Sequence, residues 1–199
     1  MSDAEDILDF WFGELDELGC ANPNQRKRWW TKSDAFDQTI RANFLSDYEA
    51  IVAGDRERWR STPRGALAYI IVLDQFSRNM FRNTPKMFAA DHLAREACYE
   101  GLDAGFDAEL GFDERVFFYL PLEHSEKLTD HEQCHERFSA LCREAPDSLK
   151  ADADYYLDYA KQHRAIIERF GRYPHRNEIL GRASTDEELE FLKKPGSSF

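Results

Sequence analysis

The stretch Thr62-Pro63-Arg64-Gly65-Ala66-Leu67-Ala68-Tyr69-Ile70-Ile71-Val72-Leu73-Asp74-Gln75-Phe76-Ser77-Arg78 decides the fold. Ala66 to Leu73 are eight consecutive apolar residues. The Thr-Pro pair ahead of them is a helix start: threonine accepts from the first backbone N–H groups, and proline fits the first turn, where its missing donor costs nothing. By length the run therefore reads as a central helix buried on most sides rather than a strand.

Working outward, apolar residues recur at helical spacing and several helices carry recognisable ends. Ala4 to Phe12 is predicted as a first short helix with Ile7, Leu8, Trp11 and Phe12 inward, followed by a loop from Gly13 to Asn24. Ser33 caps a helix that runs to Gly54, and Thr84-Pro85 opens another that ends near Gly105. Asp113 to Leu128 reads as a helix kinked by Pro121, because proline lacks a donor and crowds the preceding turn. Thr129 with Glu132, and Ser184 with Glu187, are predicted capping boxes on either side of a long helix from Ser148 to Phe170 that Gly171 closes. Strands have little support, so the expected class is all-α, a helical bundle or stack of helical hairpins. No Pro/Gly/Ser-rich seam divides the 199 residues, which predicts a single domain over residues 1–199.

A formal charge of -12 argues against general affinity for nucleic acid or anionic membranes, both of which bind through clustered lysine and arginine. The opening Met1-Ser2-Asp3-Ala4-Glu5-Asp6 lacks the basic and apolar segments of a secretory signal, and no apolar run approaches a bilayer's thickness, so a cytoplasmic location is expected. Cys20, Cys98, Cys134 and Cys142 form no CxxC pair and read as reduced, structural thiols. Acidity is not uniform. From Lys161 to Arg182 six basic residues face two acidic ones, and Arg78, Arg82 and Lys86 make a second basic cluster opposite Asp74.

Three segments carry candidate chemistry. At the end of the central helix, Asp74 and Arg78, and Arg78 and Arg82, are four residues apart, so Asp74, Arg78, Asn79 and Arg82 form one polar cluster. It reads either as an internal ion pair or as a ligand-facing surface, and the two can coexist. In Leu120-Pro121-Leu122-Glu123-His124-Ser125-Glu126, helical spacing puts His124 on the face of Phe117, Leu120 and Leu128; in the long helix, His163 lies in a stripe with Tyr159, Ile166 and Ile167. Each is commonly a hydrogen-bonded core histidine, but two of them beside a basic loop suggest a site. That loop, Phe170-Gly171-Arg172-Tyr173-Pro174-His175-Arg176-Asn177, joins guanidinium forks suited to phosphate or carboxylate with an imidazole that titrates near neutral pH. No metal site is expected: there is no HExxH, and neighbouring arginines repel a cation. No P-loop, GxGxxG or GxSxG pattern occurs, and Ser125 beside His124 makes no triad, since adjacent helical residues point in different directions.

Phe10-Trp11-Phe12-Gly13, Arg28-Trp29-Trp30, Leu73 to Asn79, Leu120 to Glu126, Phe170 to Asn177, and Leu180-Gly181-Arg182-Ala183-Ser184-Thr185 occur in this order over nearly the whole chain. The set resembles the signature blocks of a bacterial family, domain-of-unknown-function family 924. Tyr173 and Trp30 stand where the family more often has another aromatic. The resemblance implies a helical fold similar to tetratricopeptide repeats and supplies no established reaction; no 34-residue repeat is visible in the chain itself.

The leading expectation is a small-molecule enzyme or binding protein for an anionic ligand. Arg78, Asn79, Arg82, Arg172, Arg176 and Asn177 would hold the anion, with Asp74 and Glu126 in the same clusters. His124, His163 or His175 would move a proton, oriented by Glu123 or Glu126. This requires the kinked helix, the end of the central helix and the basic loop to meet in one cleft. The competing class is an interaction module that presents a concave groove, lined by aromatics such as Trp29, Trp30 or Trp59, to a protein or peptide partner.

Overall fold

The structure, a computed structural model, describes residues 2–197. Among the described residues the regular elements are helices, and strand-like pairing is limited to one antiparallel bridge between Leu15 and Ala21. The chain divides into two compact units. One holds the chain up to Arg82 together with Lys86–Pro121; the other holds Asn83–Pro85 and the chain from Leu122 onward.

The first unit is built around the quoted stretch. Thr62 caps helix α4 (Pro63–Ile70 in chain order after α1, Ala4–Phe12; α2, Pro23–Trp29; and α3, Asp34–Val52), its hydroxyl accepting from the Gly65 N–H. The helix widens into a π-helical segment, Ile71–Phe76, and closes as α5, Ser77–Met80. Residues 65–77 are all buried, as eight consecutive apolar side chains demand. Around them pack Ile7, Leu8, Trp11 and Phe12 from α1 and Ile40 and Phe44 from α3, with ring centroids 5.6 Å apart for Trp11–Phe76 and 4.9 Å for Phe44–Phe76.

Three local expectations for this unit need correction. The predicted loop from Gly13 to Asn24 ends early, because the Asn22 carbonyl oxygen accepts from the Asn24 and Gln25 N–H groups and Pro23 starts α2. The helix expected from Thr84-Pro85 begins instead as a 3-10 turn, Pro85–Phe88, and α6 runs over Asp91–Asp103. Helix α7, Phe112–Glu123, stops two residues past Pro121 instead of reaching Leu128, since proline removes one rung from the ladder. The loop before α2 is pinned by close backbone approach: a Cβ on Gly19, whose φ is +74°, would lie 2.3 Å from Gly111 Cα.

In the second unit α8, Leu128–Glu144, and α9, Lys150–Phe170, pack as a helical hairpin over Cys134, Phe138, Leu141, Ala153, Ala160 and Ile167. The expected Thr129–Glu132 capping box does not form. Ser125 takes over that end of α8, its Oγ accepting from the Lys127 N–H at 3.1 Å and donating to Asp130 Oδ2 at 2.5 Å. Leu128, expected inward, is exposed. Gly171 in the left-handed region ends α9 as expected. The capping box of α10, Asp186–Leu192, is Thr185 with Glu188, one residue later than expected, because the Ser184 hydroxyl already accepts from Asn177 Nδ2 at 3.0 Å. No described helix is long and apolar enough to cross a membrane. The four cysteines are buried thiols.

Candidate functional site

In the first unit the π-helical segment carries Asp74, fully buried, whose Oδ1 lies 3.1 Å from Arg78 Nη1. The pairing expected from four-residue spacing is present, and α6 completes it: Asp91 receives Arg78 Nη1 at 2.9 Å and Nη2 at 3.1 Å. Gln75 Nε2 donates to Asp74 Oδ2 at 2.6 Å. One turn on, Arg82 grips Asp37 of α3 through Nε at 2.6 Å and Nη2 at 2.9 Å, while Asn79 Nδ2 donates to the same carboxylate at 2.7 Å. Burial works to raise the Asp37 pKa, but the hydrogen bonds from Arg82 and Asn79 outweigh it and hold the carboxyl below its usual range. Asp74, Arg78, Asn79 and Arg82 thus come together, each bound to carboxylates of the same unit.

The second unit holds a different cluster, centred on Tyr173, which is fully buried. Its hydroxyl donates to the Glu123 carbonyl at 2.5 Å, and its ring centroid lies 6.1 Å from His131, 5.8 Å from His163 and 5.4 Å from His175. The Arg176 guanidinium stacks over the same ring at 4.6 Å. The short 3-10 helix Pro174–Arg176 after α9 sets His175 and Arg176 beside this plate. His131 Nε2 is 2.8 Å from the Ser125 carbonyl oxygen and must carry the proton there, which makes Nδ1 a buried acceptor with no partner among the described residues. His163 likewise donates from Nδ1 to the Tyr159 carbonyl at 2.9 Å, and Glu123 Oε1 lies 3.5 Å from that nitrogen. Glu123, rather than Glu126, is therefore the carboxyl placed against a histidine. Burial, the largest cause in each case, lowers all three imidazoles: His163 to about 3, His175 to about 4 with help from the Arg176 charge, and His131 in the same direction. They are neutral at pH 7. His124, half-buried just past the end of α7, lowers the same three by its charge.

The remaining predicted residues surround this core. Glu126 accepts from the Tyr173 N–H at 2.8 Å and from both Arg182 Nη atoms at 2.7 and 2.9 Å, and these bonds outweigh burial to lower its pKa. Arg172 pairs in fork fashion with Glu188 at 2.6 and 2.7 Å, which pulls that carboxyl down to about 2. Asn177 links Ser184 to Arg182, whose Nε donates to Asn177 Oδ1 at 2.9 Å. Sequence reasoning missed Tyr173 and His131. The His131 signal was available, since His131, Cys134, Phe138 and Leu141 follow helical spacing and all are buried. Among the described residues no three histidine, cysteine or carboxylate side chains are arranged to hold a metal ion.

Residues 7–196 match the model of a family described as bacterial protein of unknown function, DUF924. The chain belongs to this family. A solved DUF924-like structure, described as a protein of unknown function, ATU0120, from Agrobacterium tumefaciens, is 36% identical with a TM-score of 0.81 and covers 96% of both chains. No curated protein matches the chain. The all-helical DUF924 fold is thus shown, and the residues above are what this member offers for reading a function.

Proposed function

We propose that the protein binds a small anionic molecule, bearing phosphate or carboxylate, in its second unit, with Arg176 as the principal contact. The observation that carries this is the packing of three neutral, buried imidazoles and one guanidinium around the single ring of Tyr173. Gathering such groups in the interior is costly unless they serve a ligand or each other. If the bound molecule is a substrate, His163, held against Glu123, and His175 and His124 at the more open side are the groups placed to transfer a proton. Arg172, Glu126 and Asn177 shape the loop, through Glu188 and Arg182. We assign Asp74, Arg78, Asn79 and Arg82 to a structural network, because Asp37 and Asp91 occupy their donors.

Thermal-shift screening of the full chain against phosphorylated and carboxylated metabolites tests this. A ligand at about a hundred times its Kd stabilises the native state by about 2.7 kcal/mol. Arg176→Gln abolishes the shift and Arg78→Ala leaves it; the opposite pattern would relocate the site to the first unit.

A second reading, an interaction module with a tetratricopeptide-like groove, is favoured by one residue. Trp29 and Trp59 are buried, but Trp30 is 55% exposed, stacked on Phe117 at 5.8 Å beside exposed Lys27, Arg28 and Lys32. Quenching of Trp30 fluorescence by an acidic peptide, lost in Trp30→Ala, would support it.

A further inference from the structure

The anion reading meets an obstacle in the charges of its own site. Two guanidinium groups, Arg176 and Arg182, stand near Tyr173 with three carboxyl groups, Glu123, Glu126 and Asp130. Arg172 is matched by Glu188 and Arg164 by Glu168. With its imidazoles neutral the cluster has no surplus positive charge, and an anion entering a poorly hydrated place without a counter-charge pays heavily. The missing charge has one available source, a proton on a ring.

We propose that the second unit takes up its anion together with one proton from solution, which goes onto His175 and makes an imidazolium beside Arg176. The inference rests on the anion reading above and adds how the site acquires its charge. His175 is chosen on geometry. His131 is 1% exposed, with Nε2–H fixed on the Ser125 carbonyl, and His163 is 4% exposed, with Nδ1–H fixed on the Tyr159 carbonyl and a carboxyl already beside it. His175 alone of the three keeps an open side, lying on the short turn that also carries Arg176.

The groups facing His175 set the direction. On its own loop are Arg176 and the Tyr173 phenol; from the turn that follows comes Arg182; from the segment between α7 and α8, His124 and Glu126; from α9, His163. Of these Arg176, Arg182 and His124 oppose a proton on the ring, and Glu126, already held by Arg182, favours it. The empty site therefore keeps His175 neutral, below its ordinary range. An anion adds negative charge on the same side as Glu126 and reverses the balance. Binding then strengthens as pH falls, by linkage, until the empty site itself begins to charge.

Sulfate is the suitable probe, because its own charge does not change across the range. Calorimetric titration of the full chain with sodium sulfate at about pH 8 and about pH 6, each in two buffers of different protonation enthalpy, reads affinity and proton uptake together. The expected result is an association constant that rises by up to about tenfold per pH unit, with about one proton absorbed per sulfate. In the wild-type protein, NMR of the imidazole protons shows the His175 titration moving upward when sulfate is added. His175→Gln still binds sulfate but without proton uptake. Binding of equal strength at both pH values, with no proton absorbed, overturns the proposal and leaves the anion reading standing. Proton uptake that persists in His175→Gln, or an NMR shift confined to another histidine, overturns the assignment to His175. If neither sulfate nor inorganic phosphate binds at either pH, the anion reading fails and this inference with it.

Discussion

The two polar clusters use similar side chains to opposite ends. Around Asp74 in the first unit every arginine is met by a carboxylate from a neighbouring helix: Arg78 by Asp74 and Asp91, Arg82 by Asp37. Around Tyr173 in the second unit the partners are rings and backbone carbonyls, and the histidines are kept uncharged by burial. A network of opposite charges is complete in itself, and losing one member leaves an uncompensated buried charge. A nest of neutral titratable groups is complete only at one protonation state, so its energy depends on pH and on whatever enters. That difference, more than the number of basic residues, separates scaffold from site.

The sharpest way to break the contrast is Asp74→Ala. Because Asp74 is fully buried beside Arg78, the variant should lose about 3 to 5 kcal/mol in urea unfolding, with anion binding retained wherever it still folds. A loss under about 1 kcal/mol would show that Asp91 alone suffices and that the first cluster is not a network.

Next comes pH. His163 and His175 have native pKa values of about 3 and about 4, below the ordinary 6.5, so between those limits the unfolded chain binds more protons than the native one. Stability is then fully present above about pH 6.5 and falls as the solution is acidified, by up to about 1.4 kcal/mol per pH unit for each imidazole. His163→Gln should flatten the slope by one such contribution in denaturation series at several pH values. An unchanged slope would mean that His163 is already charged in the native state.

Tyr173→Phe removes the donor to the buried Glu123 carbonyl and should cost about 1 kcal/mol while keeping the ring plate. Arg164→Ala, which breaks an exposed pair with Glu168 four residues away, should cost less than about 0.5 kcal/mol and serves as the control. Equal losses in these two variants would remove the distinction between the Tyr173 cluster and the surface.

Much of this was readable from the chain. Eight apolar residues after Thr62-Pro63 can only be buried, and they are; Asp74 and Arg78 meet because four residues make one turn of helix. What could not be read were partners distant in sequence. Asp37 is 45 residues from Arg82 and Asp91 is 13 from Arg78, and no local pattern tells which of 38 acidic residues will face a given arginine. In the second unit the histidines at 124, 163 and 175 stood out by residue type. Tyr173, which organises them, did not, because an aromatic in a loop looks like any other until its neighbours are known. The cap at Thr185 was misplaced by one residue for a similar reason: the Ser184 hydroxyl was already committed to Asn177.

The π-helical turn at Ile71–Phe76 has a consequence for how these two ends of one helix are phased. A wide turn contains one residue more than regular α geometry needs, and each residue of an α-helix advances the direction of its side chain by about 100°. Deleting a single residue such as Val72 would let the backbone relax to the commoner ladder and still bury an apolar run. Everything from Ser77 onward would then swing by about that angle, carrying Arg78 off Asp91 and Arg82 off Asp37. The surplus residue works as a spacer in rotation, and the chain tolerates an irregular rung in its interior because it aims the residues that follow.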